Sequence, residues 1–434
     1  MTRRKLAAVV ACVCIRLASP LHAEPPTSPL RPPSVRDAIA INIHFTTPRP
    51  GEMKLLAATG VGRGRMDVGW HHVEREPGKY DFTKYDLLMS ELDAVGLRAM
   101  LILDYGNVHY TGDQKTAPTT PEARAAFGRF AAATVAHFKG RGVLWEIYNE
   151  PNNKAYWKPA PDGATYATLA IETARAIKAV APDEVLCGPG LAGIDKPFLE
   201  KALDGGLLNV IDAVTVHPYR QTAPETFAAE LADVRGMIKD HVPAGKDVPV
   251  IAGEWGYPVV WVDTPTQVNY LARQMLYGLS ERLPLNVWYD WRRGGGYEGR
   301  VAIFGLIDAV PGDGDDVTLN PTPLYHALAA LGRMIGDAHF TERLPLRRDN
   351  NADDYLLAFD GPRGRRYAFW TARPTSEEIK VALPDGVYDL FDVWGNRAGA
   401  RTAKNGMPYR VSGSPVYAVP AKAATTQATT EPIP

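Results

Sequence analysis

Two glutamates in this chain sit where a pair of carboxyl groups could do chemistry together. The apolar run Val143-Leu144-Trp145-Glu146-Ile147-Tyr148 ends in Asn149-Glu150-Pro151, and the run Val248-Pro249-Val250-Ile251-Ala252 ends in Gly253-Glu254-Trp255-Gly256. Each acid follows a short run that reads as a buried strand. Glycosidic bond cleavage needs such a pair. One carboxyl protonates the departing oxygen while the other stabilises or attacks the anomeric carbon as positive charge develops. A separation of about 5–5.5 Å would select the retaining, double-displacement route. The surroundings must then keep the acid protonated and the nucleophile ionised. Either glutamate alone reads more simply as a solvated or salt-bridged strand-end residue. Taken together, 254 − 150 = 104 residues apart, they suggest a site.

To meet, the two must be carried by a frame that brings strand ends together. Strand candidates are 39–45, 60–68, 98–104, 142–148, 184–187, 211–216, 248–252 and 285–289, with amphipathic helical segments at 86–95, 123–138, 166–180, 227–240 and 266–283. A short helix at 52–58 follows the first strand, and one at 323–334 closes the series. Pattern alone would also admit an open doubly wound sheet. Eight strand-helix units over about 300 residues, with polar residues at the C-terminal strand ends, favour a (β/α)₈ TIM barrel. The glutamates would then end the fourth and seventh strands and face each other across the mouth. We therefore expect an α/β fold with the barrel at 37–337, followed by a small antiparallel β module at 338–420, β-sandwich-like, built from runs such as EIKVAL and VYDLFDVWG. Packing on the barrel is the module's expected role; carbohydrate binding there would use Trp370 or Trp394.

The remaining segments bound the setting. Arg3, Arg4 and Lys5, then the apolar stretch from Leu6 to Ile15 and Leu21-His22-Ala23, read as an export signal over 1–23, too short to span a bilayer. The protein is thus expected in the periplasm or outside the cell, without a lipid anchor at Cys12. Residues 24–36 form a Pro-rich linker, and 421–434 a low-complexity tail. Of three cysteines only Cys187 would survive export, so no internal disulfide is available. A formal net charge of −1 provides no field to recruit nucleic acid or anionic lipid. A neutral poly- or oligosaccharide partner fits, with no nucleic acid, no membrane span and a monomeric chain.

The Asn149-Glu150-Pro151 and Gly253-Glu254-Trp255-Gly256 segments resemble glycoside hydrolase clan A, the 4/7 superfamily. Arg65-Met66-Asp67, Trp70, Glu74 and Gly78-Lys79-Tyr80-Asp81-Phe82 look most like family 39, with family 5 cellulase-like enzymes next. The resemblance covers roughly residues 38–335 and includes Phe304-Gly305-Leu306 and Pro323-Leu324-Tyr325. Family 39 includes β-xylosidases and exopolysaccharide-cleaving endoglycosidases. The resemblance implies that Glu150 is the acid/base, Asn149 the partner of a sugar 2-hydroxyl and Glu254 the nucleophile. It further implies that Arg65 keeps the nucleophile ionised and that His217-Pro218-Tyr219 brings a tyrosine hydroxyl to it. Trp288 or Trp291 would form the floor beside the scissile bond, and Trp255 would stack on a sugar face. Two plainer readings stay open: His217 as a core histidine, and Arg65 as an ion pair with Asp67. Little sequence precedes the first strand, where some family 39 enzymes place extra β structure, so the module's topology is also open.

Other signals carry no function. Gly60-Val61-Gly62-Arg63-Gly64 and Gly294-Gly295-Gly296 lack the strand, loop and helix context of a phosphate loop. His71-His72 is adjacent rather than spaced on one helical face, and Asp313, Asp315 and Asp316 lack the EF-hand spacing, so neither a metal nor a cofactor is expected. The expected activity is retaining hydrolysis of a β-linked glycan by double displacement. The rival readings are a non-hydrolytic glycan-binding protein and a transglycosylating one, both in exopolysaccharide assembly.

Overall fold

The computed structural model describes residues 30–32, 34–293, 304–311, 317–349 and 351–421. The export-signal reading, the low-complexity tail, most of the Pro-rich linker, the Gly294–Gly296 loop and the acidic turn at Asp313–Asp316 fall outside the described residues.

Eight strands close a parallel barrel: β1 (Ile39–Asn42), β2 (Arg63–Gly69), β3 (Arg98–Asp104), β4 (Leu144–Ile147), β5 (Val185–Ala192), β6 (Ala213–His217), β7 (Val250–Trp255) and β8 (Asn286–Trp288). The ring closes where β8 pairs with β1, Val287 opposite Ala40. The surrounding helices are α1 (Glu52–Ala58), α2 (Trp70–Val73), α3 (Thr83–Ala94), α4 (Val108–Thr111), α5 (Pro121–Phe138), α6 (Gly163–Val180), α7 (Lys196–Asp204), α8 (Ala228–His241), α9 (Thr264–Ser280) and α10 (Pro323–Ile335). Several begin with local chemistry that the sequence displays. Thr120, Asp162 and Asp263 cap the first turns of α5, α6 and α9 through their side-chain oxygens. Helix α7 begins the same way, with Asp195 accepting from the Phe198 amide and proline in the first turn. Its short amphipathic run escapes a reading based on longer periodic segments.

Alternate residues of each strand point into the barrel. The lowest interior layer is apolar apart from Arg63, which donates to Ala99 O (3.2 Å) and Gly142 O (2.9 Å): it holds Ala40, Met100, Leu144, Cys187, Ala213, Ile251, Leu285 and Val287. Cys187 is thus a buried core thiol, and burial raises its pKa well above the usual thiol value. One step further along the same strands, the interior positions become polar, and there the site begins.

After β8 the chain makes a hairpin, β9 (Ile307–Pro311) with β10 (Val317–Pro321), before α10. Beyond it lie β11 (His339–Leu344), β12 (Asp354–Asp360), β13 (Arg366–Thr371), β14 (Glu377–Val381), β15 (Gly386–Phe391), β16 (Arg397–Ala403), β17 (Met407–Val411) and β18 (Val416–Pro420). Six of these form one sheet in the order β11-β12-β13-β18-β15-β16, and β14 with β17 forms a separate ribbon. The period-2 pattern splits the central strands between two cores. Tyr355, Leu357, Phe359, Ala368, Trp370 and Tyr417 join the barrel's core, while Leu356, Ala358, Phe369 and Ala418 face the module's own. Trp370 is therefore buried at the barrel interface rather than offered to a ligand, stacked 4.5 Å from Tyr355. Its indole N–H donates to Glu225 Oε1 at 2.7 Å, and Arg273 grips the same carboxylate through Nε (2.8 Å) and Nη2 (2.6 Å).

Removing one partner of this buried pair leaves an uncompensated charge. Glu225→Ala should lower stability by about 3–5 kcal/mol, read as a reduced midpoint in urea unfolding. Glu225→Gln should cost less, because it can still accept from Trp370.

Candidate active site

The second interior tier gathers around one guanidinium. Arg65, on β2, is fully buried and spends its five N–H donors on neighbouring strands. Nε and Nη2 donate to Glu146 Oε2 on β4 (3.0 and 2.7 Å), and Nη1 donates to Asn42 Oδ1 on β1 (2.9 Å) and Glu254 Oε2 on β7 (2.7 Å). Nη2 also donates to Asn149 Oδ1 at 2.8 Å and lies 3.3 Å from His217 Nε2. Burial alone would drive the charge off this group. Glu146 and Glu254 outweigh it and hold the pKa above the usual arginine value. The contact with Glu254 answers the question left open for Arg65: its hydrogen bonds go to the strand-end glutamate, and Asp67 acts on it only through space.

Glu254 reaches the cleft because β7 shifts register between Ala252 and Trp255, which turns Glu254 inward and Trp255 outward. Its second oxygen, Oε1, accepts a 2.9 Å hydrogen bond from Tyr219. Burial first, then the Glu254 charge, keep the Tyr219 hydroxyl protonated and so a donor. Across the mouth, Glu150 occupies a tight turn in which both it and Tyr148 take the left-handed backbone conformation, at φ 50° and 70°. Non-glycine residues held there cost about 1–3 kcal/mol each and concentrate at functional sites. The turn is held by Glu150 N donating to Gly190 O (2.9 Å) and by Tyr148 Oη donating to Tyr156 O (2.9 Å).

His217 ends β6 with its ring fully buried. An arginine N–H can only donate, so the His217 Nε2 facing Arg65 presents its lone pair and the ring proton sits on Nδ1. Nδ1 then donates to Glu150 Oε1 at 3.1 Å, while Asn153 Nδ2 donates to Oε2 at 2.9 Å. Burial raises the Glu150 pKa, but the His217 hydrogen bond and the other donors outweigh it, leaving the carboxyl below its ordinary value. Atoms of Glu150, His217 and Glu254 lie within 4.8 Å of one another. Such a trio could hold a metal, yet the positive charge beside Glu254 is already supplied by Arg65. Both glutamates remain open to the cleft, their side chains 13% and 14% exposed.

The cleft above them encloses about 1210 Å³. Of the residues singled out in the sequence, Arg65, Asn149, Glu150, His217, Tyr219 and Glu254 come together. The three tryptophans do not. Trp255 is buried behind the barrel wall, donating to Asn286 Oδ1 at 2.7 Å. Trp288 follows the inward Val287, so it points outward, donating to Phe304 O at 3.1 Å; Trp291 donates to Glu52 Oε1 at 2.9 Å beneath α1. None offers a ring face to a ligand. Tyr289 and Phe304 line the cleft instead, with Trp261, 38% exposed, at the rim, and Tyr105 stacked on Tyr156 opposite. The sequence reading also passes over Asn42 and Glu146. An acid inside the apolar run of β4 signals a buried cation, but only the closed barrel supplies Arg65. Of the family-like motif after β2, Trp70 and Glu74 are structural. Glu74 accepts from the Trp70 indole (2.6 Å), the Gly78 amide (2.6 Å) and the Tyr110 hydroxyl (2.7 Å), which pins that loop.

No family model and no curated protein matches this chain. Solved structures do. A family 39 glycoside hydrolase from the gut symbiont Bacteroides cellulosilyticus WH2 aligns with a TM-score of 0.74 at 24% identity, over 91% of this chain and 82% of that one. A family 39 enzyme from Xanthomonas axonopodis pv. citri aligns at 0.63 and 19% identity, over 88% and 93%. A family 39 β-xylosidase from Caulobacter crescentus aligns at 0.64 and 17% identity, over 88% and 95%. The barrel with its C-terminal β module is thus the fold of these enzymes. No described helix is long and apolar enough to cross a membrane.

Lysine cannot reproduce the planar fork of Arg65. Arg65→Lys should lose two or more charged hydrogen bonds, each worth about 1.5–3 kcal/mol, and chemical denaturation should show the protein destabilised by roughly 3 kcal/mol or more.

Proposed function

We propose that this protein is a retaining glycoside hydrolase of clan A, most like family 39, that cleaves a β-linked poly- or oligosaccharide by double displacement after export from the cytoplasm. The observation that carries the proposal is the convergence of Glu150 and Glu254 on one cleft within 4.8 Å, each held differently. An oxygen of each carboxyl coming this close accords with direct attack on the anomeric carbon, the arrangement in which the two groups lie about 5–5.5 Å apart. Similarity of fold to glycoside hydrolases agrees with it.

In the first step Glu254, its charge balanced by Arg65, attacks the anomeric carbon, and the bond to the leaving oxygen breaks as Glu150 protonates that oxygen. Tyr219 and Arg65 hold the two Glu254 oxygens, which fixes the direction of attack. In the second step Glu150, now a carboxylate, takes a proton from water as that water attacks the glycosyl ester, and Glu254 leaves. The free protein holds Glu150 in this basic form, since His217 and Asn153 donate to both of its oxygens. A bound sugar excludes water from the cleft, and desolvation then pushes the Glu150 carboxyl toward the protonated form that the first step requires. Asn149, held by Arg65 and by Tyr105 (2.8 Å), keeps one amide proton free for a sugar hydroxyl.

Glu254→Ala should abolish turnover on a panel of β-glycans and aryl β-glycosides, and azide should restore part of it as a glycosyl azide. Glu150→Ala should lose about 10²–10⁴-fold on natural linkages and far less on aryl glycosides whose leaving group needs no proton. Wild-type rates in both variants would end the proposal. The pH dependence tests His217. Its hydrogen bond stabilises the charged form of Glu150, so His217→Ala should raise that pKa. The alkaline limb of kcat/KM, where the acid loses its proton, should then move to higher pH.

A further inference from the structure

Four of the deeply buried acids among the described residues are set against an arginine: Glu52 against Arg292, Glu146 against Arg65, Glu225 against Arg273 and Asp354 against Arg347. Asp104 is different. It ends β3, is fully buried, and neither carboxyl oxygen receives an N–H or O–H hydrogen bond from a donor group among the described residues. Its carboxyl instead shares a hydrogen bond with that of Asp67, on the neighbouring strand β2. Two carboxylates can share a hydrogen bond only if one of them carries a proton. Burial first, and Asp67 second, raise the Asp104 pKa well above the usual carboxylate range, which favours the inner acid as the holder of the shared proton. Asp67 lines the cleft, two residues beyond the arginine that grips Glu254. It shares the cleft lining with Asn42, His44 and Glu254, on the side where a sugar presenting its anomeric carbon to Glu254 would lie.

We propose that Asp67 accepts a hydrogen bond from a non-reacting hydroxyl of the sugar at the scissile linkage, and that Asp104, through its proton, positions Asp67 for this. Asp67 is then a specificity determinant, and Asp104 a positioning residue that never touches substrate. The arrangement deepens the glycosidase reading and rests on it. An acceptor clamped from behind cannot turn away, so a sugar lacking the matching hydroxyl leaves it buried and unpaired.

The test uses the full chain, with a β-glycoside found by the substrate panel and the set of its monodeoxy analogues, one for each ring hydroxyl. Binding is followed by calorimetry and turnover by kcat/KM. In the wild type, one analogue should fall by about 10–100-fold in both, the loss of one charged hydrogen bond. In Asp67→Ala that ratio should collapse toward one, while the ratios for the other analogues persist; a merely structural role would not produce this selectivity. Asp104→Asn keeps an N–H toward Asp67 and should preserve the ratio, whereas Asp104→Leu should shrink it. If Asp104→Leu fails to fold, the Asn variant decides the Asp104 part, because loss of the ratio there overturns the positioning role. Retained discrimination in Asp67→Ala, with turnover intact in the wild type, overturns this inference alone. A wild-type protein that binds none of the glycosides overturns the glycosidase reading along with it.

Discussion

A guanidinium sealed from solvent keeps its charge only if anions surround it, and Arg65 has two. Glu146 is wholly interior, while Glu254 stands at the edge of the cleft. The buried Glu146 makes the tier coherent: it anchors the cation, and the cation in turn holds Glu254, Asn149 and Asn42 by hydrogen bonds. Without the inner acid, Arg65 would be drawn entirely to Glu254. Without Arg65, two carboxylates would be left in a space that cannot solvate them. The polar tier is therefore cooperative across β1, β2, β4, β6 and β7, and it lies on a largely apolar layer in which Arg63 alone is charged and bonds to backbone carbonyls.

From this one cation follows the difference between the two glutamates. Glu254 is bonded to a charge and to a hydroxyl that burial keeps protonated. Glu150 lies one residue further along the network. Arg65 fixes the ring tautomer of His217, and that tautomer aims its proton at Glu150. The same positive charge thus acts on one carboxyl directly and on the other through an imidazole. Two chemically identical side chains thus acquire distinct surroundings, and the second sits in a turn where Tyr148 and Glu150 both take positive φ.

The C-terminal sheet buries one face on the barrel and keeps its own core on the other. The Glu225, Arg273 and Trp370 cluster that joins them is as buried as the Arg65 tier, but it does not open on any described cleft. It is a structural counterpart of the Arg65 network, with a tryptophan N–H donating to the carboxylate.

Much of this was legible in the sequence because it is local. All eight barrel strands follow from apolar runs of suitable length, several helices from their amphipathic runs, and the two glutamates from their positions at strand ends. The direction in which an aromatic residue faces is also local in principle, since the period of two sends Val287 inward and Trp288 outward, but the register shift in β7 cannot be read from composition. Trp255, Trp288 and Trp291 read as ligand platforms and are buried structural residues, while Tyr289, Phe304 and Trp261 line the cleft. What only the tertiary structure decided is which buried charges meet. Arg65 and Glu146 are separated by 81 residues, and Arg65 and Glu254 by 189. Coulomb attraction in a dry interior depends on distances of a few ångströms, and only closure of the barrel sets those distances. The sequence determined that the chain would carry two acids to the rim of a parallel barrel; the closed ring determined how each of them is charged, held and aimed.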